Sequence, residues 1–177
     1  MADHCCFIRT RLPSFVIQRK KLGQLVFENL WMLGLSHMQI SVTFLSPRSM
    51  QKYNREFRKN NYSTDVLAFP QKNFKQQPKV TLKPKIAYPK SVINPMTLGD
   101  VLICPEIARK NAALIGHGLD RECAFLLVHG ILHLCGFDHM KKNDEKVMLR
   151  AQRKIMRYFD EVKPSLLKNL VVVRSIL

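Results

Sequence analysis

The stretch HGILHLCGFDH, from His129 to His139, places three of the chain's six histidines at spacings of four and then six, with Gly136 between the second and third. Residues four apart share one face of an α-helix, so the imidazoles of His129 and His133 point at one spot. Gly136 falls where a helix needs a left-handed residue to stop. The chain can then turn back and deliver His139 to the same place. Three imidazoles with no fourth protein ligand describe a zinc site with an open position, the catalytic rather than the structural type. The pattern predicts one Zn2+ per chain, held by His129, His133 and His139 on a C-terminal helix and the turn after it. Cys135, two residues beyond His133, falls on nearly the opposite helix face and is left out of the site.

The same spacing occurs in zinc proteases of the metzincin type, whose pattern is H-E-x-x-H-x-x-G-x-x-H. Every position fits but one: where those enzymes carry a glutamate as general base, this chain has Gly130. Peptide hydrolysis by that route needs a carboxylate beside the metal, so a metalloprotease is the weakest of the functions the spacing allows.

Length and charge frame the site. A chain of 177 residues, 46% hydrophobic and 24% charged, is one ordinary globular domain. Lysine and arginine number 29 against 13 acidic residues, a net charge of +16. That excess points to a polyanionic partner, a nucleic acid or an acidic membrane surface. No stretch approaches the roughly 18 to 20 consecutive apolar residues of a bilayer span, and MADHCCFIRTR reads as neither a signal nor a transit peptide. The five cysteines are odd in number and scattered, as reduced thiols of a cytoplasmic protein would be.

Periodicity supplies the scaffold. CCFIRTRL suits a short edge strand. Leu22, Leu25, Val26, Leu30 and Leu33 recur at helical spacing within a helix predicted from about Phe15, with Gly34 as its stop. Met38, Ile40, Val42 and Phe44 alternate with polar residues, as in a strand with one buried face. Ser46-Pro47 caps a helix that ends near Arg58 and is predicted to turn Met50, Tyr53 and Phe57 inward. VLAFP, from Val66 to Pro70, is a short strand. Residues 71–98 hold Lys72, Lys75, Lys79, Lys83, Lys85 and Lys90 with dense proline and no acid, a long exposed basic loop. VLIC is a buried strand, and Pro105 opens a helix that Gly116 closes. Asp120 is the predicted cap of the histidine helix. A last helix from near Asn143 carries Val147, Met148, Ala151, Ile155 and Phe159 as its apolar stripe. The sum is an α+β fold: a single domain over residues 1–163 with a mixed sheet of about four strands covered by four or five helices. The tail 164–177 is left with three open roles: packing on the body, adding a strand, or meeting a partner.

Three segments, in consistent order, carry a resemblance that runs from about Leu35 to Phe159. HGILHLCGFDH resembles the signature H-G-x-L-H-L-x-G-[YF]-D-H of the YbeY family, bacterial endoribonucleases of ribosomal RNA maturation. NREFRKNNYSTDVLAFP, from Asn54 to Pro70, resembles that family's N-x-x-Y-R-x-K-x-x-P-T-D-V-L-S-F-P, and LGDVLIC, from Leu98 to Cys104, matches a third motif. The resemblance implies an α+β sandwich, zinc on His129, His133 and His139, and an active-site arginine at Arg58. It further implies single-strand-specific cleavage of ribosomal RNA precursors, including the 16S rRNA 3′ end, with a role in ribosome quality control. The implied partners are the RNA and the ribosomal subunit or its associated proteins, with no membrane. The chain departs from the motifs at Phe57, Ser63 and Ala68, none a proposed ligand. The basic loop is longer than the family's, and the tail has no counterpart in it. Asp65 and Asp100 match family positions and equally suit loop caps.

Phosphodiester cleavage needs positive charge where negative charge develops on the phosphoryl group, and an arginine offers it through a rigid two-pronged donor. Arg58 ends its helix beside a polar loop, in reach of such a role. No general base is evident. Asp138 suits a turn or a residue that orients an imidazole, which leaves a metal-activated water, a substrate phosphate oxygen or the RNA's 2′-hydroxyl. His4, His37 and His117 lack partners at ligand spacing. A zinc-dependent endoribonuclease is the leading function. A non-enzymatic ribosome-assembly factor with a bracing zinc is the second.

Overall fold

The structure, a computed structural model, describes residues 6–10, 12–82 and 95–174. Strands β1 (Cys6–Thr10), β3 (Met38–Phe44), β5 (Met96–Ile103) and β4 (Val66–Pro70) form a mixed sheet in that order. β1, β3 and β5 run parallel, and β4 closes the far edge antiparallel to β5. β3 is central, and its alternation is the predicted one: Met38, Ile40, Val42 and Phe44 are buried between half-buried Gln39, Ser41 and Thr43. β5 is apolar on both faces because both are covered. Val101 and Ile103 join the main core, whereas Leu102 joins a smaller cluster with Leu45, Met50 and Leu67.

Five helices among the described residues cover this sheet, giving the α+β single domain expected: α1 (Arg19–Met32), α2 (Pro47–Arg58), α3 (Pro105–Ile115), α4 (Leu119–Leu134) and α5 (Lys142–Glu161). α2 begins and ends as its sequence directs. Ser46 Oγ accepts from the Ser49 N–H at 3.3 Å, Pro47 occupies the first turn, and Lys59 leaves the helix at φ 62°. Its buried face differs from the prediction, however. Met50 and Asn54 point inward while Tyr53 and Phe57 stay exposed, because the Asn54 amide donates to the Tyr62 carbonyl at 2.8 Å and pins the following loop under the helix. On α5, Val147 likewise lies outside while Met148, Ala151, Ile155 and Phe159 pack inward.

The first helix starts later than predicted. Phe15–Ile17 is a strand, β2, paired antiparallel with β6 (Val171–Val173) from the tail. The tail thus adds a strand and packs on the body, with Leu166, Leu170 and Val171 in the main core. Asp120 does not cap α4, whose cap residue is Gly118. Its carboxylate instead accepts from the backbone N–H groups of Asn169 and Val171 at 2.8 and 2.7 Å, locking the tail to the first turn of α4.

The basic loop is shorter and better anchored than expected. Its last residues, Met96 to Leu98, belong to β5, and Lys83, Lys85 and Lys90 lie outside the described residues. Along 71–82, Phe74 and Val80 pack against the core, and Gln77 Nε2 donates to the Gly136 carbonyl at 3.1 Å. Cys104, Cys123 and Cys135 are buried thiols outside any disulfide, and burial pushes Cys135 up to about 12. Among the described residues no helix is long and apolar enough to cross a membrane.

Replacing Asp120 by alanine removes a charged acceptor from two tail amides. The variant is expected to lose about 1.5–3 kcal/mol of stability, read by chemical denaturation, and to exchange the Val171 amide faster. Unchanged exchange at Val171 would show that the tail holds without that carboxylate.

Candidate metal centre and active-site cleft

α4 lies so close to the sheet that any side chain at Gly130 would have to displace Val101. A Cβ built there would sit 2.6 Å from Cγ1 of Val101 and 3.1 Å from Cγ2. That approach sets His129 and His133, on either side of Gly130, along the cleft beside β4. The helix then ends in a Schellman turn. Gly136 takes φ 80°, its N–H reaches the His133 carbonyl at 3.0 Å, and the Phe137 N–H reaches Leu132 at 3.1 Å. Buried Phe137 anchors the reversal, and His139 comes back to the other two. One ligand atom from each histidine lies within 4.8 Å of the others, so the group can hold a metal ion.

The hydrogen bonds decide which nitrogens face that point. The buried Gln152 of α5 donates through Nε2 to the Phe125 carbonyl at 3.2 Å, which leaves Oε1 to accept from Nδ1 of His129 at 3.2 Å. The Phe137 carbonyl accepts from Nδ1 of His133 at 3.0 Å. Both rings therefore carry their proton on Nδ1 and turn Nε2 lone pairs toward each other, 3.0 Å apart. Burial opposes protonation of both. His129 is held below its ordinary value, and burial, followed by the neighbouring imidazoles, pushes His133 down to about 4. Two facing lone pairs that resist a proton, with a third imidazole beside them, form a donor set suited to zinc. Gln152 carried no signal in the sequence. Asp138, expected at a turn or an imidazole, serves the turn: its carboxylate accepts from the His139 N–H at 2.7 Å.

Arg58 shares the site. It lines the same cleft of about 760 Å³ as His129, His133 and His139, together with Tyr62 and Asp65. Its guanidinium donates to the Ala68 carbonyl on β4 at 2.9 Å and lies 5.8 Å from the centre of the Phe69 ring. Asp65 is structural, as a loop cap would be. One oxygen accepts from the Val66 N–H at 2.8 Å and the other from Asn111 at 2.9 Å. Asp100 accepts from Gln71, and His117 pairs with buried Glu122 at 3.2 Å, both away from the metal point.

Residues 17–160 match the family described as endoribonuclease YbeY. The chain belongs to that family. Endoribonuclease YbeY of Exiguobacterium sibiricum is 35% identical over 125 residues, 71% of this chain and 75% of its own length. The Staphylococcus carnosus protein of the same name is 36% identical over 118 residues, 67% of this chain and 70% of its own. A solution structure from Thermotoga maritima covers 93% of this chain and 95% of its own at TM-score 0.57 and 23% identity, and so shares the fold. The YbeY family is one of enzymes that hydrolyse RNA phosphodiester bonds. The three candidate ligands of this chain stand beside Gly130, where a protease's glutamate would crowd Val101.

Three variants test this centre. His133→Ala is expected to abolish stoichiometric zinc, measured by metal analysis; equal zinc in variant and wild type would refute the ligand set. Gln152→Ala should retain zinc but bind it about 10- to 100-fold more weakly in chelator competition. Unaltered affinity would show that the amide does not orient His129. Gly130→Ala should cost about 1–3 kcal/mol by overpacking against Val101, read as a lowered denaturation midpoint.

Proposed function

We propose that this chain is a zinc-dependent, single-strand-specific endoribonuclease acting on ribosomal RNA precursors at the His129, His133 and His139 cleft. The observation that carries the reading is that Arg58 lines the same cleft as the three histidines. When bound, zinc would supply a Lewis acid for a phosphate oxygen and lower the pKa of a water toward about 7. Arg58 supplies the second positive charge. One of its donors is engaged by Ala68, which fixes the guanidinium plane and leaves other N–H groups for the phosphoryl oxygens.

In this reading neither carboxylate that lines the cleft, Asp65 or Asp138, takes the part of a general base. Gly130 has no side chain, Asp138 holds the ligand turn, and both oxygens of Asp65 are occupied. Catalysis by this chain is therefore electrostatic and positional, with the proton passing to water or to the substrate itself. The net charge of +16 favours a polyanion, and the motif resemblance implies ribosomal RNA, including the 16S rRNA 3′ end, as that polyanion. Ribosome quality control, contact with the ribosomal subunit and a cytoplasmic location belong to the same reading.

Arg58→Ala is expected to keep its zinc and most RNA affinity yet cleave single-stranded RNA about 100- to 1,000-fold more slowly, the loss typical of one donor to a developing anion. Arg58→Lys should recover little, since a point charge cannot reproduce the two-pronged donor. Cleavage by the alanine variant at the wild-type rate would make Arg58 a surface charge. Zinc-loaded wild type that binds RNA without cutting it would instead be an assembly factor.

A further inference from the structure

Helix α2 exposes aromatic surface that its own spacing would suit to a core. Tyr53 and Phe57 stand one turn apart, 38% and 54% exposed, and their rings lie 15° from parallel with centroids 6.1 Å apart. Phe57 meets the ring of Phe69 edge-on at 5.2 Å, and that same ring lies under the Arg58 guanidinium at 5.8 Å. The rings thus continue outward from the wall of the cleft that bears Arg58. Tyr62, 60% exposed, lines the cleft itself, its backbone fixed by buried Asn54.

Cations surround the rings without sharing their face. Arg58 stacks on the Phe69 ring that Phe57 meets edge-on, while Arg48, Lys52 and Arg55, with Lys59 at the cap, follow one another on an exposed face of α2 roughly opposite the rings, and Glu56 is the helix's only acid. Among the described residues no ion pair involves this helix. A protein partner with an apolar face would fit the rings but leave those charges uncompensated. A double helix would meet the charges but keeps its bases stacked inside. A single-stranded polynucleotide satisfies both, offering bases to the rings and phosphates to the cations.

We propose that Tyr53, Phe57 and Tyr62 form a stacking platform for unpaired bases of RNA that enters or leaves the cleft past Arg58. This rests on the nuclease reading and gives it a physical source of strand selectivity: only bases free of a duplex can reach the rings.

The test is equilibrium binding of the zinc-loaded full chain to three labelled 2′-O-methyl oligonucleotides: a single-stranded 12-mer, its abasic counterpart of equal charge, and a duplex. The double variant Tyr53→Ala/Phe57→Ala should bind the single strand about 10-fold or more weakly, with unchanged affinity for the abasic strand and the duplex. Tyr62→Ala should act in the same direction. Phe57→Trp, which keeps a larger ring, should bind the single strand at least as well as wild type and report it by a change in indole fluorescence. Equal losses on the base-bearing and abasic strands would reduce the face to its charges and overturn the proposal. No loss on any strand would overturn it too, assigning the rings to a protein partner. Failure of wild type itself to bind single-stranded RNA would instead remove the nuclease reading beneath it.

Discussion

The contact of Gly130 with Val101 is the constraint from which the rest of the site follows. Helices normally pack on sheets at a distance set by their side chains; here a bare α-carbon lets α4 settle onto β5. The residues on either side of that contact, His129 and His133 among them, are thereby held against a rigid sheet rather than on a mobile surface. The same missing side chain withholds the carboxylate that a protease would need at this point. The close approach to Val101 and the lack of a carboxylate at the position a protease uses thus meet in one residue.

Orientation of the ligands comes from two unrelated sources. His133 is aimed by the carbonyl of Phe137, which the Schellman turn itself brings back beneath the ring. His129 is aimed by Gln152, a residue of another helix whose amide is fixed at its far end by Phe125. A metal drawing on these imidazoles would therefore tie together the end of α4, the turn and α5, and its binding energy would add to the stability of that joint. The basic loop reinforces the arrangement through Gln77, which holds the Gly136 carbonyl from outside.

What could be read in the sequence was whatever depends on near neighbours. The histidine spacing, the stop at Gly136, the cap at Ser46-Pro47 and the alternation in β3 are all local, and each appears as expected. The misreadings involve partners distant in the chain. Phe15–Ile17 looked like the start of a helix because a short apolar run has no decisive period, and its strand character comes from pairing with β6. Asp120 looked like a cap because it precedes an apolar helix, yet its acceptors are taken by the tail. Gln152 had no mark at all, since a lone glutamine acquires meaning only from the histidine it meets across two helices. Tyr53 and Phe57 share the spacing of a buried stripe with Met50, yet the helix is turned so that Asn54, bonded to the Tyr62 carbonyl, joins Met50 inside in their place.

That roll bears on the electrostatics of the whole cleft. In the groove between α4 and α5, Arg121 is bound by Asp160 at 2.9 Å and Arg157 by Glu161 at 2.7 Å, so each carries a neutralising partner. Arg58 is fixed by a carbonyl and a ring face instead. A carbonyl dipole positions a guanidinium without cancelling its charge, whereas a carboxylate would have to be displaced before an anion could bind. The side chain beside the histidines is thus held in place with its field intact. For a site whose ligand is a phosphodiester, that distinction between a positioned cation and a paired one separates binding surface from scaffold among the chain's many basic residues.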